Sequence, residues 1–522
     1  MFPRVVKSTY AQITLTRITI LFFLLSFAFC LAQGLIQSFL YALDAQSETI
    51  ISEIVRATEI PERNITFREG AGGNYTVKMC DNIPFAADLV QNPCVVIYRS
   101  GEAYGTEPVV QDLTMGFEVA PLRTLEGVLN GVSIKSRGAE TKPIVLSQHC
   151  AQMVVYPEHL LRHSVREDLT FIILQFWLFG VSLFAVEFNS VPHLLTALGT
   201  RFLITSWSSY IVIYRTPHQA QEFSELFVAG GTPCGFNPYP GHFPNHFAYD
   251  ITDAILNWIG LLLCGYLSWR LLKLYNSVAF KRVGAPTYIN RIYRFFMAML
   301  ACLQLEVFVL VAGTSLWLNI LTKTAIAQLA HHAELYKAGA IFSLVIVLPW
   351  LALGWYSIRR ESQRLMFAFL LIAFLLVGGW GLMFYSVVYR WSFERWPLFG
   401  CFTVASFILI IASVILGALC WSRFGKGFSE YMHAEAALAD SNFAHEVFKN
   451  DLEKGEKLER FGTDASFPPY TFQSFTITPE VTRMSTVSAS TMSSMRVDSL
   501  APLRPVRAPL RPPRTNTAFL YR

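Results

Sequence analysis

Two ionisable residues stand inside stretches that are otherwise apolar: Arg201 within 194–214 and Glu306 within 295–320. A charge in mid-bilayer is costly, so it marks either a function or a structural pair. Both stretches are expected to enter the membrane from the same face. At about 1.5 Å of rise per residue, Arg201 then lies roughly 10 Å deep and Glu306 roughly 16 Å. An arginine side chain can cover that difference, so the two are expected to be able to pair, with Gln175 and Gln304 completing a polar cluster. Such a cluster suits a gate or a proton- or ligand-coupled switch. The plainer alternatives are an ion pair that fixes helix packing, or Arg201 reaching back to the interface.

The other reactive residue types are less suggestive. No candidate span contains a histidine, so axial haem ligands are missing from the membrane. His149, His159, His163, His242, His246 and the His331-His332 pair fall outside the spans. An unperturbed imidazole titrates near pH ~6.5 and can sense acidity. These are nevertheless read as ordinary surface residues, because a Gly- and Pro-rich loop does not hold His242 and His246 at helical spacing. There is no CxxC pair, P-loop, HExxH or GxSxG in a fitting context. The chain is therefore read as a non-enzyme with no cofactor and no metal site.

The elements that must position these residues are membrane helices. Of 522 residues, 53% are hydrophobic and 15% charged, against about a quarter charged in ordinary soluble proteins. The net charge of +5 is mild, and no basic stripe points to nucleic acid. A helix needs about 20 apolar residues to cross the hydrocarbon core. The first such stretch is 18–43. A polar stretch of some 120 residues follows. Seven more spans are expected near 169–187, 194–214, 252–273, 295–320, 338–357, 365–388 and 397–421.

Lys and Arg concentrate at one set of span ends, including Arg17, Arg270, Lys273, Arg291, Arg359 and Arg423. The positive-inside rule makes that side the cytoplasm, with the C-terminus on it and the polar stretch outside. Two glycosylation sequons, at Asn64 and Asn74, fall in that outer stretch. So do Cys80, Cys94 and Cys150, while Cys234 lies in a second outer loop. Two disulfides are expected in an oxidising compartment, with three pairings open. The first span reads as an uncleaved anchor, with a signal peptide ending near Ala32 as the alternative.

The predicted organisation has four parts: leader and first span, 1–43; extracytoplasmic domain, 44–168; seven-helix bundle, 169–421; cytoplasmic tail, 422–522. The fold class is membrane all-α with an α+β outer domain, expected to be a β-sandwich. Ala45 to Ala57 looks helical, while Tyr75 to Met79, Val95 to Tyr98, Met115 to Val119 and Met153 to Tyr156 read as strands. The loop 215–250 is rich in Gly, Pro and aromatic residues, so it is expected to fold against the outer domain, tethered by Cys234. It is read as a packed connector, or else a lid over a lumenal cavity. The tail is expected to be largely disordered. It carries Pro502-x-x-Pro505-x-Arg507 and Pro509-x-x-Pro512-x-Arg514, which fit the pattern bound by SH3 domains.

Three stretches carry a resemblance. They are Phe176-Trp177-Leu178-Phe179-Gly180, Lys281-Arg282-Val283-Gly284-Ala285-Pro286-Thr287-Tyr288 and Phe424-Gly425-Lys426-Gly427. Over 155–435 the chain resembles a group of multi-pass membrane proteins of basidiomycete fungi, which supplies no mechanism. In layout it is similar to the lumenal-domain, seven-span group that includes Wntless and the GOST proteins. That likeness implies a β-sandwich outside and a role in secretory traffic or surface signalling. The expected partners are the bilayer, a lumenal or extracellular protein or lipid ligand, and an SH3 domain on the tail. The expected function is a receptor-like or cargo-handling protein of the plasma membrane or the Golgi and endosomes. The alternative is a transporter or channel using polar residues within the spans.

Overall fold

The computed structural model describes residues 10–425, apart from 11, 62–63, 72–73, 85–93, 103, 105–108, 111–115, 137–142, 238–239, 284–286 and 325–331. These described residues all belong to one compact unit. The tail prolines and arginines, Pro502 to Arg514, lie outside them.

Helix α1 runs from Arg17 to Ala57, opened by a capping box in which the Thr16 side chain accepts from the Thr19 amide. Its 41 residues span about 60 Å, twice the ~30 Å hydrocarbon core. It must therefore project well beyond the membrane, and the helical piece from Ala45 to Ala57 is its continuation. Seven strands follow: β1 (Ile65–Ala71), β2 (Asn74–Cys80), β3 (Val95–Arg99), β4 (Val109–Val110), β5 (Phe117–Arg123), β6 (Leu129–Ser136) and β7 (Ile144–Ser147). Helix α2 (Gln148–Glu187) is as long as α1 and projects in the same way. The stretch from Met153 to Tyr156, expected as a strand, is part of it. The Ser147 hydroxyl accepts from the Cys150 amide at 3.3 Å and starts the helix there. Packing of Met153 and Val154 into the core overrides their β-propensity.

After α3 (Val191–Tyr210), the chain continues through a π-helical turn, Ile211–Arg215, into α4 (Thr216–Phe223) and a second π turn, Ser224–Val228. The short strand β8 (Phe236–Asn237) leads to α5 (His242–Val283). The remaining helices are α6 (Thr287–Lys323), α7 (Ala333–Arg359), α8 (Gln363–Met383), the short α9 (Val387–Arg395) and α10 (Pro397–Trp421). Seven of the described helices are long and apolar enough to cross a membrane: α1, α2, α5, α6, α7, α8 and α10. The stretch 194–214 was expected as a further span. Its helix, α3, carries buried Thr196, Thr200, Arg201, Thr205 and Ser208, which dilute its apolarity. It packs between α5 and α6 with that polar face turned inward.

Strands β1–β2–β3 form one antiparallel sheet, with Ile65 opposite Cys80 and Ala71 opposite Asn74. Strands β5–β6–β7 form another, with Val119 opposite Ile134 and Ile134 opposite Ile144. Gly131 takes φ +144°, and a Cβ there would meet the Leu146 carbonyl oxygen at 2.1 Å, so only glycine fits. A two-residue parallel bridge pairs Val109 with Phe236 and ties the loop before α5 into the domain. The two sheets share one core with the ends of α1 and α2 rather than closing only on each other. Ile51 and Ile54 of α1, Val154 of α2, Val77 of β2 and Val132 of β6 meet there. The expected boundaries at 43/44 and 168/169 therefore fall inside continuous helices.

Candidate functional site

Arg201 and Glu306 do not pair. Arg201, 3% exposed, turns away from α6 toward α1, where its Nη1 donates to Gln33 Oε1 at 2.5 Å. Its guanidinium also packs over the Phe29 ring, 5.1 Å from the centroid. Glu306, wholly buried, faces α10 instead and accepts from the Ser406 hydroxyl. Gln304 accepts from Thr196 Oγ1 at 3.0 Å, and Gln175 is buried without reaching either charge. Depth along the helices allowed the pair, but rotation about their axes, set by the apolar packing, does not.

The side chain of Gln33 opens a different polar line. Its Nε2 donates to Asn257 Oδ1 on α5 at 2.5 Å. Asn257 Nδ2 donates to Asp253 Oδ2 at 2.8 Å, and Ser208 Oγ of α3 donates to the same oxygen at 2.9 Å. One helical turn away, Asp250 Oδ2 accepts from Thr216 Oγ1 at 2.6 Å and lies 2.9 Å from His246 Nδ1. The other ring nitrogen of His246 is 3.4 Å from Asp44 Oδ1 of α1, which is 3.6 Å from His242 Nε2. His242 Nδ1 in turn meets Ser47 Oγ at 2.9 Å. The line thus runs from Arg201, deep among the helices, to the part of α1 and α5 nearest the β domain.

This corrects the reading of His242 and His246 as loop-surface residues. The helix begins at His242, about three turns before the apolar stretch, so the two rings do sit at i, i+4 on one face. Both are drawn inward by Asp44, and His242 is 7% exposed.

Between the helices at this level is a cavity of about 40 Å³, enough for roughly three waters at ~10–15 Å³ each. Asp44, Glu167, Asp168, Arg215, Asp250 and Asp253 line it. Glu167 pairs with Arg215 and accepts from Trp396 Nε1 at 2.5 Å, and the Trp396 ring stacks on His163 with centroids 4.3 Å apart. A second cavity of about 50 Å³ adjoins it, sharing Asp44, Thr216 and His246 but walled by Leu160, Phe223 and Phe227. Among the described residues, no three His, Cys, Asp or Glu side chains are grouped to hold a metal ion.

The signal for this site was present as stripes of polar residues at helical period. On α1 these are Gln33, Gln37, Asp44 and Ser47; on α5, His246, Asp250, Asp253 and Asn257. Each sits three, four, seven or eleven positions from a neighbour in its stripe, hence on one face. Arg201 and Glu306 attracted attention as charges within apolar runs, whereas Asp44 looked like a span end.

The β domain is fastened to the helices next to the site. Cys80 bonds Cys94 within the first sheet region, and Cys150 at the start of α2 bonds Cys234 of the loop before β8. That loop is packed down: Phe236 is 3% exposed, and the Tyr104 amide donates to the Gly231 carbonyl at 3.0 Å. Arg68 of β1 pairs with Glu222 of α4 at 2.8 Å and with Glu225 at 3.1 Å, while its guanidinium lies 4.2 Å over the Tyr75 ring. Burial, with Tyr98 close by, pushes the Tyr75 hydroxyl up to about 12, keeping it a donor to the Glu225 carbonyl. Of the two sequons, Asn74 is exposed at the β1–β2 turn, whereas Asn64 is 7% exposed with its amide against the Met79 sulfur.

The chain is similar to a UPF0658 Golgi apparatus membrane protein of Schizosaccharomyces pombe, 19% identical over 188 residues, 35% of this chain. The chain spans about half the length of that curated relative. No family model matches, and no solved structure matches. The molecule is a multi-pass membrane protein related to a Golgi membrane protein.

Proposed function

We propose that this is a non-enzymatic membrane protein of the secretory route, residing in or cycling through the Golgi. In this reading it acts as a receptor-like or cargo-handling factor through its β domain. The observation that carries the reading is the shared core. Ile50, Ile51 and Ile54 of α1 and Met153, Val154 and Leu161 of α2 pack with both sheets, and Cys150–Cys234 pins the intervening loop. Helices α1 and α2 run unbroken from their apolar stretches into the core of the β domain, so a load on that domain would reach the membrane helices directly. Two disulfides suit the oxidising lumenal side, in agreement with the orientation drawn from Lys and Arg. The Golgi relative points the same way.

A transporter or channel is the second reading, favoured by the polar line from Asp44 to Arg201. That line ends under the Phe29 ring and does not join Glu306, which suits a gate or sensor better than an open conduit.

Topology and localisation, read on one tagged chain, test the proposal. With α3 counted as crossing between α5 and α6, the expected results are a C-terminal epitope cleaved by protease added to sealed Golgi-derived vesicles, whose cytoplasmic face is outward, a glycosidase-sensitive shift and overlap with a Golgi marker. A C-terminal epitope protected in such vesicles, with the β domain digested, would put the β domain in the cytoplasm and remove the receptor-like reading.

A further inference from the structure

Asp168 is the oddest group in the cavity. It is 9% exposed, lies on α2 beside Glu167, and among the described residues no side chain makes a hydrogen bond to its Oδ2. Its Oδ2 is fully enclosed and unpartnered. Asp253 Oδ1 is likewise enclosed without a hydrogen bond, although Oδ2 of the same carboxylate takes two. Both residues line the same cavity of about 40 Å³. A buried carboxylate oxygen with no donor carries a large desolvation cost unless a cation or proton meets it.

The surrounding charges do not supply that cation. Facing Asp168 across the cavity are Asp44 of α1, Glu167 of its own helix, and Asp250 and Asp253 of α5. The positive groups are Arg215, from the turn after α3, and His246 of α5, with His242 one turn further off. Arg215 is engaged by Glu167, and His246 lies between Asp44 and Asp250. Even with both imidazoles protonated, the cations fall short of the five carboxylates. Helix α3 contributes only neutral groups here, Ser208 and Trp207, and α4 contributes Thr216 and Gln219.

We propose that this cavity binds one small monovalent cation, an alkali ion, held by Asp168 and Asp253 and screened by the neutral groups around them. Size supports this choice, since the space admits a few waters and excludes an organic amine of any length. Chemistry supports it too. Among the described residues no three acidic or imidazole groups gather as divalent-ion ligands, whereas a single positive charge needs to offset only one carboxylate, with neutral oxygens and waters completing its shell. Occupancy would tie α1, α2, α3 and α5 together at the level where the β domain begins. The site stands whether or not the β domain acts as a receptor.

The test uses the purified full chain in lipid nanodiscs, with the thermal unfolding midpoint as readout. Sodium chloride is titrated against choline chloride at constant ionic strength, at pH 7.5 and at pH 5.5. A saturable sodium-dependent rise at pH 7.5, weakening about tenfold in apparent affinity per pH unit, identifies an alkali site in competition with the proton. A midpoint that rises on acidification with no sodium effect shows that protonation of the carboxylates, and no bound ion, neutralises the cavity, and it overturns the proposal. On the proposal, Asp168→Asn raises the midpoint in choline at pH 7.5 and abolishes the sodium response. Asp253→Asn serves as the second variant should the first not fold, and it weakens the response at least tenfold. A wild-type midpoint indifferent to sodium and to pH overturns the proposal. So does a response that survives both substitutions.

Discussion

Arg201 on α3 donates to Gln33 on α1 across 168 residues of sequence, and the contact fixes how the first helix joins the others. The guanidinium, packed over Phe29 with the Cys264 sulfur of α5 and Cys30 of α1 beside it, meets Gln33 as its side-chain oxygen acceptor at 2.5 Å. Removing it leaves a buried charge without its acceptor. Gln33→Leu is expected to destabilise the protein by about 3–5 kcal/mol. Gln33→Leu combined with Arg201→Met should cost less than Gln33→Leu alone. Thermal unfolding of the four members of the cycle in detergent measures the coupling. A double-variant cost equal to the sum of the two single-variant costs would mean that the contact does not matter.

Glu306 is a separate site. Its acceptor role toward Ser406 is met as well by an amide oxygen. Glu306→Gln is therefore expected to leave expression and stability unchanged or raised, and Ser406→Ala to cost about 1 kcal/mol. Loss of function in Glu306→Gln at unchanged stability would return Glu306 to the list of working residues.

The two disulfides should differ in weight. They close loops with sequence separations of 14 and 84 residues. On chain entropy alone, losing Cys80–Cys94 costs about 3 kcal/mol and losing Cys150–Cys234 about 4.5 kcal/mol. Cys234→Ser should therefore lower the unfolding midpoint more than Cys94→Ser, and peptide mapping under non-reducing conditions should recover both pairs.

Glycosylation should be confined to one sequon. Asn74 is exposed on a turn, while Asn64 is enclosed beside Met79. Asn74→Gln is expected to abolish the glycosidase-sensitive shift on a gel, and Asn64→Gln to leave it intact. A shift that persists in Asn74→Gln would show that Asn64 is modified before the domain closes over it.

Much of the architecture was legible because bilayer crossing depends on composition over a window. A run of about 20 apolar residues says what it is with no knowledge of its neighbours. The β domain between the first helix and the rest was legible from turn residues and short β-branched runs, and the four polar cysteines from their segregation outside the apolar blocks. Helix lengths were not: α1, α2 and α5 run on past their apolar parts, because packing against the β domain and against one another stabilises polar turns that hydropathy discards. That is why His242 and His246 were placed in a loop, and why Met153 to Tyr156 looked like a strand.

The sequence by itself determined which segments prefer lipid, which cysteines can oxidise and where charges interrupt apolar runs, since each is a property of local composition. Tertiary structure alone decided the partners. Arg201 met Gln33 instead of Glu306, Cys150 met Cys234, and Asp44, Asp168, Asp250 and Asp253 came from three helices to one cavity. Those outcomes depend on the rotation of each helix about its axis. That rotation is set by apolar packing summed over the whole bundle, a quantity no single segment carries.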